Sequence, residues 1–255
     1  MKMNGDFRAR VLARKFLAGT WVNLGSSMTA EIAGLAGFDW VLLDHEHGPG
    51  GDDTMVSQLQ AVAATPAVGL VRIAANEAPR FKRALDAGAQ GIMIPHVETA
   101  AQARAAVDAM RYPPRGVRGV AKLTRAASFG AGFDDYFAHA HEWLVTLPQI
   151  ETPQGVKHAA EIAAIDGVDV LFVGPMDLTT SLGIPGEYDH PRSLEALRVV
   201  AAAARNAGKA AGILLLNPAH VPMCRELGYT FIALGSDGGS VVQGLRQNLA
   251  ALRAR

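Results

Sequence analysis

The sequence predicts an α/β fold, a (β/α)8 TIM barrel, on three observations. Eight short apolar runs recur along 255 residues, Ala-rich helix-like stretches separate them, and several of those stretches close in Gly just before the next run. A barrel of this kind commonly takes about 250 residues. Runs such as VLLD, GIMIP, VLFVGP and GILLLN are apolar at consecutive positions, which suits strands covered on both faces in a parallel sheet.

Strands are read as apolar runs bounded by Gly, Pro, Asp or Asn. They fall at Leu17–Leu24, Asp39–Asp44, Val68–Ile73, Gly91–Pro95, Leu144–Ile150, Val168–Gly174, Ala211–Asn217 and Thr230–Gly235. Helices are expected over Thr29–Ala36, Pro79–Ala87, Ala100–Met110, Gln154–Ala164, Ser193–Ala207, Ala219–Leu227 and Ser240–Leu252. The closures at Asp86–Ala89, Asn206–Lys209 and Glu226–Tyr229 put Gly where a helix ends in the left-handed conformation. A doubly wound open sheet is the competing arrangement, but no GxGxxG or Walker A motif follows the first strand. Residues 1–255 are read as a single barrel domain. The segment Arg111–Trp143 interrupts the alternation with two prolines, several glycines and four arginines. A connection of that length is usually functional or mobile, so it reads either as a surface excursion with a short helix or as a lid or subunit contact.

Composition narrows the function classes. With 24 Lys+Arg against 24 Asp+Glu the net charge is zero, unlike a nucleic-acid binder, whose affinity rests on phosphate neutralisation. A single Cys excludes an intramolecular disulfide framework and a zinc site of several thiolates. No apolar run reaches the roughly 18 residues of a membrane helix, and the charged N-terminus lacks the apolar core of a secretory signal. A soluble, cytoplasmic protein is expected, with no membrane or nucleic-acid partner.

In a barrel the active site gathers at the C-terminal strand ends. Polar residues just after an apolar run are therefore the informative ones: Asp44-His45-Glu46-His47, Arg72 with Asn76, Gln149-Ile150-Glu151-Thr152, and Gly174-Pro175-Met176-Asp177. Glu151 and Asp177 sit at matching heights on adjacent strands. Two carboxylates completed by water and substrate oxygens suit Mg2+ or Mn2+, although either residue alone reads as a helix cap or first-turn acid. His47 shares a strand end with Asp44, and a carboxylate holding one ring nitrogen would leave the other as a base. Arg72 would hold a substrate oxygen or a rim carboxylate. The turn at Gly174 and Pro175 leads into a helix whose free N–H groups suit a carboxylate. The Gly-rich stretch Gly235–Ser240 reads as a phosphate site or a tight turn. His139, His141, His158, His190 and His220 read as surface residues, and Cys224 as core. None of the six lysines falls inside a predicted strand, which argues against imine chemistry.

The runs GFDWVLLDHEHGP, RALDAGAQGIMIPHVETAAQA, RYPPRGVRGV, LPQIETPQGV and VDVLFVGPMDLTTSLG together resemble the HpcH/HpaI family of class II pyruvate aldolases, from about Gly19 to Gly239. The resemblance implies a metal-dependent aldolase that cleaves 4-hydroxy-2-oxo acids to pyruvate or hydroxypyruvate plus an aldehyde. It also implies a last helix exchanged between subunits in a homohexamer, a trimer of dimers. Carried over by position, the ligands of a divalent ion (Mg2+, Mn2+ or Co2+) are Glu151 and Asp177. The base is His47 oriented by Asp44, the carbonyl-binding arginine is Arg72, and Gln149 lies beside the metal. Gly174, Pro175, and the backbone at Met176 and Asp177 would receive the pyruvate carboxylate, and Leu214 would shape the acceptor pocket. Arg118–Gly130 would lie at a subunit contact near the site. His45 departs from the family pattern, where a smaller residue stands. An acyl-CoA lyase or a 2-oxo-acid decarboxylase or tautomerase would use the same site, and a non-catalytic barrel would use none of it.

Overall fold

The computed structural model describes residues 3–254, so residues 1, 2 and 255 of the expected domain lie outside the described residues. The strands are β1 (Leu17–Val22), β2 (Trp40–Asp44), β3 (Val68–Arg72), β4 (Gly91–Ile94), β5 (Val145–Ile150), β6 (Val170–Val173), β7 (Ala210–Leu215) and β8 (Tyr229–Ser236). All pair in parallel in chain order, and β8 returns to β1 to close the barrel. An open sheet is thereby excluded. The helices are α1 (Phe7–Leu12), α2 (Ser27–Leu35), α3 (Asp52–Ala63), α4 (Ala78–Ala87), α5 (Ala100–Met110), α6 (Phe133–Trp143), α7 (Pro153–Lys157), α8 (Ala159–Ala163), α9 (Pro175–Ser181), α10 (Pro191–Asn206), α11 (Val221–Leu227) and α12 (Asp237–Arg253).

Each predicted strand overlaps an observed one. Two helices, α1 and α3, escape the sequence reading; α9 follows the turn at Gly174 and Pro175 where a helix is expected, and α6 supplies the short helix that one reading of Arg111–Trp143 allows. The reading leaned on Ala-rich stretches closed by Gly, whereas α3 (DDTMVSQLQAVA) opens on two acids and buries Met55, Leu59 and Val62 at helical spacing. The predicted helix Gln154–Ala164 is two helices meeting at His158, whose backbone leaves helical geometry and whose Nδ1 contacts the Glu98 carbonyl at 2.8 Å.

Two apolar layers hold the barrel. Outward-facing residues such as Val41, Leu43, Val71 and Ile92 pack beneath the helices. Inward-facing residues fill the interior, led by Trp21, Trp40, Leu42, Leu70, Met93, Leu147, Phe172 and Phe231. Trp40 stacks on Phe231 with centroids 4.1 Å apart. Gly19 makes room for it, since a Cβ there would collide with the Trp40 ring. From below, α1 plugs the interior with fully buried Phe7. Cys224 is core, as expected, and burial pushes its thiol up to about 11. A filled interior of this kind leaves chemistry to the rim.

Several elements leave apolar side chains uncovered. Helix α12 touches β1, β8 and α2 yet buries none of its residues, leaving Val241, Val242, Leu245, Leu249 and Leu252 exposed. Met28, Ile32 and Leu35 on α2 are exposed as well. The segment Arg111–Trp143 is a surface excursion that ends in α6. Its Arg118 pairs with Asp86 at 2.7 Å, and Arg125 donates to the carbonyls of Ala87 (2.8 Å) and Leu59 (3.3 Å). Within this chain, residues 118–130 therefore run along the N-terminal end of the barrel. Among the described residues no helix is long and apolar enough to cross a membrane.

Candidate active site

Strand register assembles one half of the rim. Asp44 and Arg72 are the last residues of β2 and β3 and are direct ladder partners. Arg72 donates from Nε to Asp44 Oδ1 at 2.9 Å and from Nη2 to Oδ2 at 2.6 Å, the bidentate geometry that suits guanidinium and carboxylate. Its Nη1 reaches Glu46 Oε2 at 3.0 Å, and the guanidinium lies 5.4 Å from the centroid of the Trp21 ring. Burial alone would raise the Asp44 carboxyl. The Arg72 hydrogen bonds and charge, with the N–H groups of Glu46 and His47, outweigh burial and hold it below the ordinary value of 3.8.

This geometry corrects one expectation. Asp44 does not hold the His47 imidazole; it accepts the His47 backbone N–H at 3.3 Å while both its oxygens serve Arg72. The carboxylate thus shapes the loop that carries His47, whose ring stays exposed. Neighbouring His45 turns outward and contacts Gln58 Oε1 at 3.1 Å through Nε2.

The opposite half of the rim is built differently. Glu151 follows β5 directly and is 2% exposed. Its Oε1 accepts the backbone N–H of His96 at 2.8 Å, and its Oε2 accepts from Gln149 Nε2 at 3.3 Å. Among the described residues no Lys or Arg pairs with it; the His96 Nδ1 stands 3.8 Å away, an ion pair when the imidazole is protonated. Burial pushes the Glu151 carboxyl up to about 7, His96 lowers it, and the Asp177 charge adds to the rise. Asp177 is half-buried in the first turn of α9. Here the N–H groups of Met176 and Asp177 have no place in the helical ladder, and Pro175 has none to offer. Gly174 leaves room for the Glu151 carboxylate, since a Cβ there would push Glu151 Oε2 from its place. Leu214 on β7 is half-buried against the top of the interior layer.

The donor set fits a divalent cation. Glu151 and Asp177 offer hard carboxylate oxygens, and the buried Gln149 Oε1 beside them has no hydrogen-bond partner. Among the described residues no three His, Cys, Asp or Glu side chains form a ready-made cage. Two carboxylates with the remaining positions left to water and ligand oxygens is the way Mg2+ is commonly held.

The structure brings Asp44, Arg72, Gln149, Glu151, Gly174 to Asp177, and Leu214 to the strand ends, with His47 on the loop above β2. Three neighbours were not singled out from sequence. Glu46 was noted only as part of its strand-end run, Trp21 sits in an apolar run that reads as core, and His96 acts through its backbone. The one sequence signal for His96 is its place directly after GIMIP, at another strand end.

Comparison with known proteins extends this picture. Residues 17–244 match the family model described as HpcH/HpaI aldolase/citrate lyase. A hydroxypyruvate/pyruvate aldolase of Delftia acidovorans is 43% identical over 97% of this chain and 92% of its own length. A 5-keto-4-deoxy-D-glucarate aldolase of Klebsiella pneumoniae is 41% identical over 96% and 94%. The crystal structure of an HpcH/HpaI aldolase/citrate lyase family protein from Burkholderia cenocepacia superposes with a TM-score of 0.94 at 40% identity, covering 98% of this chain and all of that one.

Proposed function

We infer the function of this chain from the HpcH/HpaI aldolase/citrate lyase family, to which it belongs: it is an aldolase, a carbon–carbon lyase acting on 2-oxo acids. The reaction is the reversible cleavage of a 4-hydroxy-2-oxo acid to pyruvate or hydroxypyruvate plus an aldehyde. Relatives at about 40% identity that bear aldolase names support this reading. The observation that carries the site is the buried Glu151, without an Arg or Lys partner among the described residues and close enough to Asp177 to feel its charge, on the same rim as Arg72.

Glu151 and Asp177 would hold a divalent ion, with Gln149 beside it. When bound, that ion supplies positive charge at the 2-oxo oxygen, where negative charge gathers as the C3–C4 bond breaks. Arg72, fixed by Asp44 and Glu46, directs its cationic face toward the same oxygen and is preorganised for the developing charge. The free N–H groups at Met176 and Asp177 bind the substrate carboxylate. His47 accepts the C4 hydroxyl proton in cleavage and returns it in synthesis. Its exposure suits a base that exchanges protons with water between turnovers. Leu214 borders the space left for the aldehyde.

A homohexamer with α12 exchanged between subunits belongs to the same reading. The unburied apolar side chains of α12 support it, and a solution mass of six chains is the expected measurement.

The test is pyruvate release from a 4-hydroxy-2-oxo acid by protein stripped with chelator and resupplied with Mg2+, Mn2+ or Co2+. Activity is expected to vanish on stripping and return with the ion. Activity that survives stripping removes the Glu151–Asp177 site from the mechanism.

A further inference from the structure

His96 has a left-handed backbone, with φ at +50°. Such a conformation is uncommon for a residue with a Cβ and is disfavoured in most L-residues. Strain of this kind persists only where the surroundings over-determine it, and it clusters at functional sites. Both conditions are met here. Ile94 is still in the ladder, paired with Pro148 on β5, and Pro95 has no N–H to give. Val97 is already fixed again, its N–H on the Gln149 carbonyl at 3.1 Å. Glu98 is tied by its carboxylate to Thr152 Oγ1 at 2.6 Å and by its carbonyl to His158. Between these anchors the single left-handed residue turns its N–H inward, onto Glu151 Oε1 at 2.8 Å.

The imidazole makes no hydrogen bond in that contact and reaches Glu151 only through its charge when protonated. It is 59% exposed, and its Nδ1 lies 3.8 Å from Oε1, beyond hydrogen-bond reach. The one hydrogen bond that position 96 gives Glu151 comes from a backbone donor at a fixed point. The side chain matters through its tolerance of the left-handed region, where His, Asn and Asp are enriched among residues other than Gly.

We propose that His96 is a positioning residue: its left-handed backbone holds one oxygen of Glu151 so that the carboxylate is presented, in a fixed orientation, to a divalent cation shared with Asp177. This rests on the metal reading above and goes beyond it, because it assigns the orientation of a ligand to a backbone conformation on a neighbouring strand end. A β-branched residue at 96 relaxes to negative φ and withdraws the N–H. Glycine or asparagine keeps it.

The test is calorimetric titration of Mn2+ into chelator-stripped wild type and the variants His96→Gly, His96→Asn, His96→Ala and His96→Val, with a thermal melt of each. Gly and Asn are expected to bind within about twofold of wild type. Ala is expected to bind several-fold weaker, and Val about tenfold weaker or more, in line with the cost of the left-handed region. A merely structural role would lower the melting temperature without ordering the Mn2+ affinities this way. If Val does not fold, the Gly–Ala pair decides. Equal affinities across all four variants overturn the proposal: all like wild type means the contact does not matter, and all weakened means the imidazole does the holding. A wild type that takes up no Mn2+ overturns the metal reading itself and this inference with it.

Discussion

Asp44 and Glu151 are both buried carboxylates at strand ends of one barrel, and they are treated in opposite ways. Asp44 is matched in register with Arg72, receives two guanidinium hydrogen bonds and two backbone N–H groups, and stays below the usual carboxylate range. Glu151 receives one backbone N–H and one amide, has another carboxylate nearby, and is pushed up to about 7 by burial. The β2–β3 half of the rim is electrostatically complete within the chain. The β5–β6 half, on the proposed reading, is completed by a bound cation. A buried negative charge without a partner is costly, and what distinguishes the two halves is where the partner comes from.

Replacing Glu151 should strongly reduce activity with none of the damage expected of a structural residue. Glu151→Gln should lower kcat/KM by on the order of 10³-fold, the scale of the charge stabilisation a bound ion supplies. The stripped variant should unfold at the same denaturant concentration as stripped wild type, or a higher one. His47→Ala should lower turnover by roughly 10²–10⁴-fold as a lost general base while leaving Mn2+ affinity nearly intact; equal loss of both would count against its assignment. Arg72→Ala, unlike Glu151→Gln, should damage stability as well as activity. It strands Asp44 in the rim and should cost about 3–5 kcal/mol in a denaturant melt, as breaking buried pairs does. Leu214→Ala should act least, shifting the kcat/KM ratio between a short and a longer aldehyde by about 1–3 kcal/mol per methylene without changing Mn2+ affinity.

The two carboxylates also respond oppositely to pH. Glu151 has a folded value above its ordinary 4.5, so stripped protein is most stable below that value and loses stability as pH rises toward about 7. Asp44 lies below 3.8, so its pair stabilises at all higher pH and fails only as acid protonates it. A pH series of unfolding midpoints on stripped wild type, Glu151→Gln and Arg72→Ala separates the contributions.

Much of this rim was legible because apolar runs end where chemistry begins. Asp44, Arg72, Glu151 and Asp177 were each found as the first polar residues past a predicted strand or at its end, and parallel register then placed them on one face. The pairing among them was less legible. Proximity in sequence suggested that Asp44 serves the His47 ring, but the ladder sets Arg72 directly beside it, and a bidentate guanidinium occupies both oxygens. Trp21 was hidden because an aromatic residue in an apolar strand reads as core, which it also is. His96 was hidden for a different reason: its contribution is a backbone N–H, and no residue type announces that. Helix α3 was missed because its signal lies in amphipathic spacing rather than in Ala content or a closing Gly.

The most direct measurement is Mn2+ binding to chelator-stripped protein at pH 8 and pH 6, alongside Glu151→Gln. One equivalent should bind to the wild type at pH 8. The ion must displace the proton that Glu151 carries at pH 6, so affinity there should fall by about tenfold for one unit below its value near 7. Glu151→Gln should bind weakly at both. Equal affinity at the two pH values, matched by Glu151→Gln, would contradict a rim whose β5–β6 half depends on a cation.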